Sequence, residues 1–347
     1  MTISERQQDI LKVIIEDYMK TAEPISSKSI CDRLSFSSAT IRNEMLELEN
    51  LKLIEKPHTS AGRVPSDLGY RFYVDNLLQN NENLPIDTNY VGEFMGLKMK
   101  ELDKIITEAC NLISNLTHYT SVVATPMMTK ILIRKTDILY VDEKSFVFTL
   151  VAGNNIIKTK MLKSDIPLYK EEISLLANAL NDLLLGTDVH QITKSKLQVL
   201  YGQNHLSFLI DGIIAFISEI CNELLTNRVY LGGEENILNY PEYKNATHAK
   251  NLIDFIKNPD MLKFAPSDNV NVRIGVENGD NPLSDASVVY ATYGIGEGNF
   301  GVIGVVGPKR MDYRKVSAYL TLYARQLSKI MENSLLADED EDNGGFI

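Results

Sequence analysis

Apolar positions near the start of the chain follow the spacing of a helix that buries one face. Between residues 11 and 18 they recur at i, i+3, i+4 and i+7. Ser4 followed by Gln7 is the capping-box pattern that starts such a helix, and Pro24 prevents the helix from continuing. The first element is therefore predicted to be an amphipathic helix that ends before Pro24.

Two shorter apolar stripes follow, and each has a serine pair in front of it. Ser26 or Ser27 can cap a second helix, and Ser37 or Ser38 can cap a third. The inward stripe of the third helix has i, i+4, i+7 spacing and consists of Ile41, Met45 and Leu48. The pattern predicts two helices joined by a short break, which is the geometry of a helix-turn-helix.

The outward face of the third helix is polar near its start, where it carries Ser38, Thr40, Arg42 and Asn43. In the major groove an arginine can donate twice to guanine, and an asparagine can form a pair of hydrogen bonds with adenine. Short helix pairs also occur in proteins that do not bind DNA. The segment after the third helix therefore decides whether this helix pair is interpreted as a DNA-binding one.

That segment has the pattern of a wing. Residues 51–54 are apolar enough for a short strand, and EKPHTSAGRVP then places Gly62 at a predicted turn. Lys56, His58 and Arg63 lie in this wing, within reach of the DNA backbone or minor groove. Ser66 caps a further helix, in which Arg71 is predicted to be exposed and to contact a phosphate. The first 78 residues are thus predicted to be a winged helix-turn-helix.

The remaining chain mixes helical stripes with alternating segments, which predicts an α+β fold. Residues 79–97 are polar and suit a linker. Helices are predicted at 102–116, 169–185, 206–226 and 248–257, with a last one after residue 313. Strands are predicted as a meander in 131–162 and at 270–276, 287–293 and 300–306.

Charge narrows the predicted DNA footprint. The chain has a formal net charge of -11, and residues 1–78 hold ten Lys/Arg against twelve Asp/Glu. Within the interval 52–71 the sign changes, with four bases against two acids. Because phosphate affinity needs basic surface, the predicted DNA footprint is narrow, and most of its cations lie around the wing and the helix after it. Residues 336–347 are predicted to be an acidic, solvated tail.

No pattern for catalysis, a metal or a cofactor stands out. The three cysteines are far apart and lack zinc spacing. Gly296, Gly298 and Gly301 form a G-x-G-x-x-G between two predicted strands, where no helix could hold a pyrophosphate. No apolar run would span a membrane, and no signal peptide is evident. We expect a cytoplasmic protein that is not an enzyme, with no catalytic, cofactor-binding or metal-binding residues.

Several stretches of this sequence resemble the HrcA family of heat-inducible transcription repressors. The most specific is HTSAGRVPSDLGYRFYVD, which covers the wing and the helix after it. ERQQDIL, EPISSKSI, SSATIRNEM, YLGGEENIL and GIGEGNFGVIGVVGPKRMDY are also similar to the family. The resemblance covers nearly the whole chain.

The resemblance implies a winged helix-turn-helix followed by a GAF-like α+β domain with an inserted dimerising domain. The expected ranges are 1–78 for the winged helix, 98–163 with 265–335 for the GAF-like domain, and 164–264 for the insert. The meander could instead belong to the insert. The resemblance also implies a homodimer on an inverted-repeat operator called CIRCE, repression of chaperone operons, and support of activity by the GroEL chaperonin.

An alternative function stays open at this stage. A GAF-like domain can bind a small metabolite in some families, and such a ligand would then set the affinity for DNA. No convergent set of polar residues in the sequence identifies such a ligand.

Overall fold

Two units share the polypeptide, and each draws on more than one stretch of sequence. The first comprises Met1–Ala124, Val229–Tyr293 and Val302–Gln326, and the second comprises Thr125–Arg228, Gly294–Gly301 and Leu327–Ile347. The computed structural model describes residues 3–58, 62–77, 102–125, 131–153, 156–192, 194–197, 207–225, 228–258, 267, 269–294 and 300–342. The predicted linker at 79–97 lies outside these residues, as do Gly296 and Gly298.

The helices and strands follow the predicted order closely. They are α1 (Glu5–Thr21), α2 (Ser27–Cys31), α3 (Ser38–Asn50), β1 (Ile54–Glu55), β2 (Val64–Pro65), α4 (Asp67–Leu77), α5 (Leu102–Thr117), β3 (Thr120–Ala124), β4 (Ile133–Asp142), β5 (Ser145–Ala152), β6 (Ile156–Lys163), α6 (Lys170–Leu184), α7 (Lys194–Leu197), α8 (Ser207–Leu225), β7 (Val229–Gly232), α9 (Ala246–Lys257), β8 (Asn271–Ile274), β9 (Ala286–Gly294), β10 (Phe300–Pro308) and α10 (Tyr313–Asp342). Short 3-10 turns lie between several of them.

Helices α1 to α4 and the antiparallel pair β1–β2 form the winged-helix module, residues 3–77. The capping box is present, since Ser4 Oγ accepts from the Gln7 amide at 3.2 Å and Gln7 Oε1 accepts from the Ser4 amide at 3.0 Å. The structure also selects between the serine pairs. Ser26 caps α2 and Ser37 caps α3, because the first residue of each pair has the extended backbone of an N-cap.

The rest of the first unit, residues 102–124, 229–293 and 302–326, contains a five-stranded sheet, and we call it the sheet body. Its five strands run in the order β7-β3-β10-β9-β8. Strands β3 and β7 are absent from the prediction. They pair with each other in the register Ser121↔Gly232. The unit contains the mixed helices and strands expected of an α+β domain.

The second unit contains the predicted meander, strands β4 to β6, packed against helices α6 and α8. Strands β4, β5 and β6 form an antiparallel sheet whose buried face carries Phe146, Phe148 and Leu150. These side chains share one apolar cluster with Leu180 of α6 and Ile213 of α8. The dividing points therefore lie near 125 and 228, whereas the expected insert ran over 164–264. Hairpins pair locally, so their sequence pattern does not tell which neighbouring helices cover them.

Two smaller expectations can be compared with the structure. The predicted acidic tail from 336 is helical as far as Asp342, because α10 continues through Leu335, Leu336 and Ala337, which are good helix formers. The cysteines form no disulfide: Cys110 is buried, whereas Cys31 and Cys221 are half-buried. Burial raises the pKa of the Cys110 thiol to about 11. Among the described helices, none is both long and apolar enough to cross a membrane.

Candidate nucleic-acid interface

Helix α3 is held in place from its inner side. Ile41, Met45 and Leu48 are buried, as their spacing predicts. Glu44 is also buried, and its Oε1 accepts from Arg6 Nε of α1 at 2.7 Å. A buried carboxylate needs such a partner, so this ion pair fixes the rotation of α3 about its own axis. The opposite face of the helix is consequently turned toward solvent.

Three of the four polar side chains that the sequence places on the outward face of α3 are exposed there. They are Ser38, Arg42 and Asn43. Thr40 is only half-buried, and its hydroxyl lies 2.8 Å from Ser37 Oγ while its amide donates to the same oxygen at 3.1 Å. Thr40 therefore takes part in the helix cap in this conformation.

Arg42 differs from the other arginines of the module in its surroundings. Its guanidinium approaches Ser27 Oγ at 3.5 Å. Arg6, Arg33, Arg63 and Arg71 each form an ion pair with a carboxylate, whereas none is found for Arg42 within the described residues. Because no carboxylate in the described part of the chain neutralises it, Arg42 offers a full positive charge at the outer face of α3.

The end of α3 turns the chain directly into the wing. Lys52 has a φ of 59°, and the amide of Leu53 donates to the carbonyl of Leu48 at 2.9 Å. This is the hydrogen bond of a Schellman motif, which closes a helix with one residue in the left-handed region. Strand β1 therefore starts two residues later, close to the C-terminal end of the recognition helix.

The wing is anchored at its base by a third segment. The backbone groups of Ile25 and Arg63 exchange two hydrogen bonds, each 2.8 Å long. A Cβ on Gly62 would lie 2.4 Å from the Ile25 carbonyl oxygen, so only glycine allows this approach. Gly62 was predicted at a turn, and the structure places it against Ile25. Lys56 and His58, which follow β1, are exposed. Residues 59–61 lie outside the described part.

Arg63 points back to the recognition helix. Its Nη2 and Nε lie 2.7 Å and 2.9 Å from Glu49 Oε2. Its side chain is 18% exposed, which is less than a freely projecting wing arginine would be. The ion pair ties the wing strand to α3 and lowers the net charge that Arg63 offers to a phosphate.

Arg71 is held by the sheet body. Its Nε lies 2.8 Å from Glu277 Oε1, and its Nη2 donates to the Val272 carbonyl at 2.6 Å. A second carboxylate, Asp75, lies 3.2 Å from Nη1. The hydrogen bond to Glu277 raises the pKa of Arg71 above its ordinary value. The sequence pattern predicts that Arg71 is exposed and contacts a phosphate. In the structure its guanidinium instead binds carboxylates and a carbonyl of the protein itself.

Further contacts join α4 and α1 to the same body, and together with Arg71–Glu277 they form what we call the junction. Asp67 Oδ1 lies 2.8 Å from Lys309 Nζ, and Asp67 Oδ2 accepts from the Val276 amide at 3.2 Å. Arg310 Nη1 donates to the Met19 carbonyl at 3.1 Å. The sequence prediction missed the junction because its paired residues are more than two hundred positions apart.

Aromatic packing lies beneath these polar contacts. The rings of Tyr70 and Tyr313 are both buried, with centroids 6.0 Å apart. Burial raises the pKa of Tyr70 well above its ordinary value, and burial does the same to Tyr313. Both rings are therefore neutral at physiological pH and contribute apolar packing to the junction.

Two comparisons with family models identify the chain. A model described as winged helix-turn-helix transcription repressor, HrcA DNA-binding, matches residues 2–75. A second, described as HrcA protein C terminal domain, matches residues 103–316. The chain belongs to the HrcA family.

Individual relatives agree with this assignment. The heat-inducible transcription repressor HrcA of Thermoanaerobacter pseudethanolicus is 35% identical over 349 residues, covering 98% of this chain and 100% of the relative. The HrcA repressor of Caldanaerobacter subterraneus is 34% identical over 349 residues with the same coverage. A crystal structure described as a hypothetical protein at 2.2 Å resolution is 26% identical, with a TM-score of 0.64 over 95% of this chain and 99% of its own.

Membership in the HrcA family settles the class of function. HrcA proteins are heat-inducible transcription repressors and not enzymes, and their winged helix-turn-helix binds DNA. The predicted fold class, with an N-terminal winged helix and an α+β remainder, is confirmed. Among the described residues, no three or more His, Cys, Asp or Glu side chains group together in a way that could hold a metal ion.

Proposed function

We propose that this HrcA-family repressor binds an inverted-repeat operator, the CIRCE element, as a homodimer in the cytoplasm. Its targets would be chaperone operons, and the GroEL chaperonin would support its activity. The observation that carries the DNA interface is the outer face of α3. There Arg42 and Asn43 are exposed beside the wing, and Arg42 has no carboxylate partner within the described residues.

Each residue of this interface has a role that fits its chemistry. Arg42 would donate twice to a guanine, and Asn43 would form a hydrogen-bond pair with an adenine. Ser38 and Thr40 lie in the first turn of α3, where the helix N-terminus favours a phosphate. Lys56 and His58 would contact the backbone or minor groove from the wing.

Arg63 and Arg71 belong to the same proposal with smaller electrostatic roles. Each has a carboxylate partner, Glu49 or Glu277, so neither offers a full charge to a phosphate. Their main contribution would be to hold the wing and α4 in position. The affinity for DNA would then depend strongly on a few unpaired groups.

The shortage of unpaired positive charge in one winged-helix module supports binding as a homodimer. One module with a net charge of about -2 by its Lys/Arg and Asp/Glu count binds phosphate weakly, so two modules acting together would supply the affinity. For the dimer contact we propose the second unit. The outer face of its sheet exposes apolar side chains, namely Leu139, Ile157 and Met161, which a second copy would cover.

The operator proposal predicts a clear difference between DNA duplexes. At physiological salt, fluorescence anisotropy should show much tighter binding to the inverted repeat than to a scrambled duplex of the same composition. A duplex with one intact half-site should bind with intermediate affinity, because only one module is then engaged. Equal affinity for the inverted repeat and the scrambled duplex would refute the operator proposal.

The chaperonin proposal predicts an effect on recovery of the repressor. After dilution from denaturant, GroEL with its cochaperonin and ATP should increase the fraction of chain that binds the operator. The matched control is native repressor incubated with the same components, whose operator binding should not change. If the recovered fraction is the same with and without chaperonin, the proposed support by GroEL is wrong.

A further inference from the structure

We infer that Leu46, together with Ala39, contacts thymine methyl groups in the major groove and thereby adds a thymine preference to the operator. This inference rests on the proposed function, because it requires that the outer face of α3 enters the groove. It adds apolar contacts to the hydrogen bonds assigned to Arg42 and Asn43.

Leu46 is exposed although α3 already has a complete inner stripe. Its side chain is 54% exposed, whereas Ile41 and Leu48 are fully buried and Met45 is nearly so. Leu46 is therefore not needed to attach the helix to the module. Single exposed leucines are common on protein surfaces, so the exposure by itself indicates little. The position of Leu46 on the helix carries the argument.

Helical geometry places Leu46 on the line between the two proposed base-contacting side chains. It follows Arg42 by four residues and Asn43 by three, so it lies one turn further along between them. Ala39, also exposed, precedes the same two residues by three and four and lies one turn before them. Ala39 and Leu46 are separated by about 10.5 Å along the helix axis, at 1.5 Å per residue.

An apolar residue at these positions matches one group in the major groove. Thymine presents a C5 methyl group there, and alanine or other apolar side chains contact it favourably. Cytosine lacks that methyl group, so the contact discriminates between the two pyrimidines. The separation of about 10.5 Å along the helix is too large for both side chains to contact one methyl group. The two apolar residues would therefore meet different base pairs, with the polar pair between them.

Deoxyuridine substitution tests this contact, because it removes the thymine methyl and leaves the base-pairing atoms unchanged. Each thymine of the operator duplex is replaced in turn, and binding of the wild type and of Leu46→Ala is measured by fluorescence anisotropy. At one or two positions per half-site the wild type should lose about fourfold in affinity. That is the loss expected when one buried group of methylene size is removed from a contact. At the position that Leu46 contacts, Leu46→Ala should lose no affinity on deoxyuridine substitution, whereas a position that Ala39 contacts should stay sensitive in this variant.

Leu68→Ala is the matched control. Leu68 of α4 is 55% exposed, nearly the same as Leu46, but it lies on a different helix of the module. This variant should keep the wild-type sensitivity to deoxyuridine at every position. Thermal melting of both variants should match the wild type, because both side chains are exposed.

The outcomes separate this inference from the proposed function. If the wild type prefers the operator but no deoxyuridine weakens its binding, the thymine contact is overturned and the operator proposal stands. The same holds if Leu46→Ala keeps the wild-type sensitivity to deoxyuridine at every position. If the wild type shows no preference for the operator over the scrambled duplex, the proposed function itself fails.

Discussion

Valine in place of Gly275 is expected to separate the winged-helix module from the sheet body at the junction. Gly275 has a φ of +53°, and a Cβ there would lie 2.0 Å from Asp67 Oδ2 and 2.5 Å from its Cγ. A β-branched residue in the left-handed region costs about 1–2 kcal/mol before any clash is counted. The Asp67 carboxylate would also have to leave Lys309 and the Val276 amide. We expect a loss of about 2–5 kcal/mol in the stability of the first unit.

Hydrogen–deuterium exchange can measure this separation directly. In Gly275→Val, amides of α4 and of residues 271–278 should exchange faster than in the wild type. Gly279→Val is the control, because Gly279 also has a positive φ of +87° but its Cβ would meet only Asn281 Nδ2, at 3.4 Å. The control should be destabilised by backbone strain and keep α4 protected. Protection of α4 in Gly275→Val equal to that in the wild type would contradict the assigned role of Gly275.

Separation of the module should also affect DNA binding in a particular way. If the junction sets the direction in which each module projects, its loss lowers the effective concentration of the second module at its half-site. Gly275→Val should therefore bind the inverted repeat more weakly and bind a single half-site as well as the wild type does. An equal loss on both duplexes would show that the substitution damages the module itself.

Most of the winged-helix module could be predicted from sequence because its signals are local. The Ser4–Gln7 capping box, the Ser37 cap and the inner stripe of α3 each lie within one or two helical turns. The exposure of Arg42 and Asn43 follows from the same periodicity. Such features depend on neighbours in the chain, so the pattern of apolar and polar residues is sufficient to locate them.

The remaining features depend on residues far apart in the chain. Strands β3 and β7 are four or five residues long, and Ser121 pairs with Gly232 more than a hundred positions away. Likewise, the surroundings of Arg71 depend on Glu277, 206 positions later. A charged residue on an amphipathic helix is predicted to be solvated unless its partner is known. That is why Arg71 was expected to contact a phosphate.

Substitution of Arg42 is expected to reduce the preference for the operator more than any other single change on the outer face of α3. Arg42→Ala should lower the ratio of operator to scrambled affinity by about 5- to 150-fold, the value of about 1–3 kcal/mol for one bidentate base contact. Arg42→Lys keeps the charge but lacks the planar fork that binds guanine twice. It should therefore lose most of the preference and retain the wild-type dependence of binding on salt.

The comparison with Arg71→Ala makes this prediction specific to an unpaired arginine. Arg71 donates to Glu277 and to the Val272 carbonyl, so its removal should lower the melting temperature and leave the ratio of single half-site to scrambled affinity unchanged, because that ratio does not depend on the junction. Arg42 has no ion pair among the described residues, so its removal should change that ratio without lowering the melting temperature. Anisotropy titrations at several salt concentrations and thermal melts on both variants measure the two effects separately. If Arg71→Ala lowered the ratio as much as Arg42→Ala does, the carboxylate partners would not decide which arginines contact the bases.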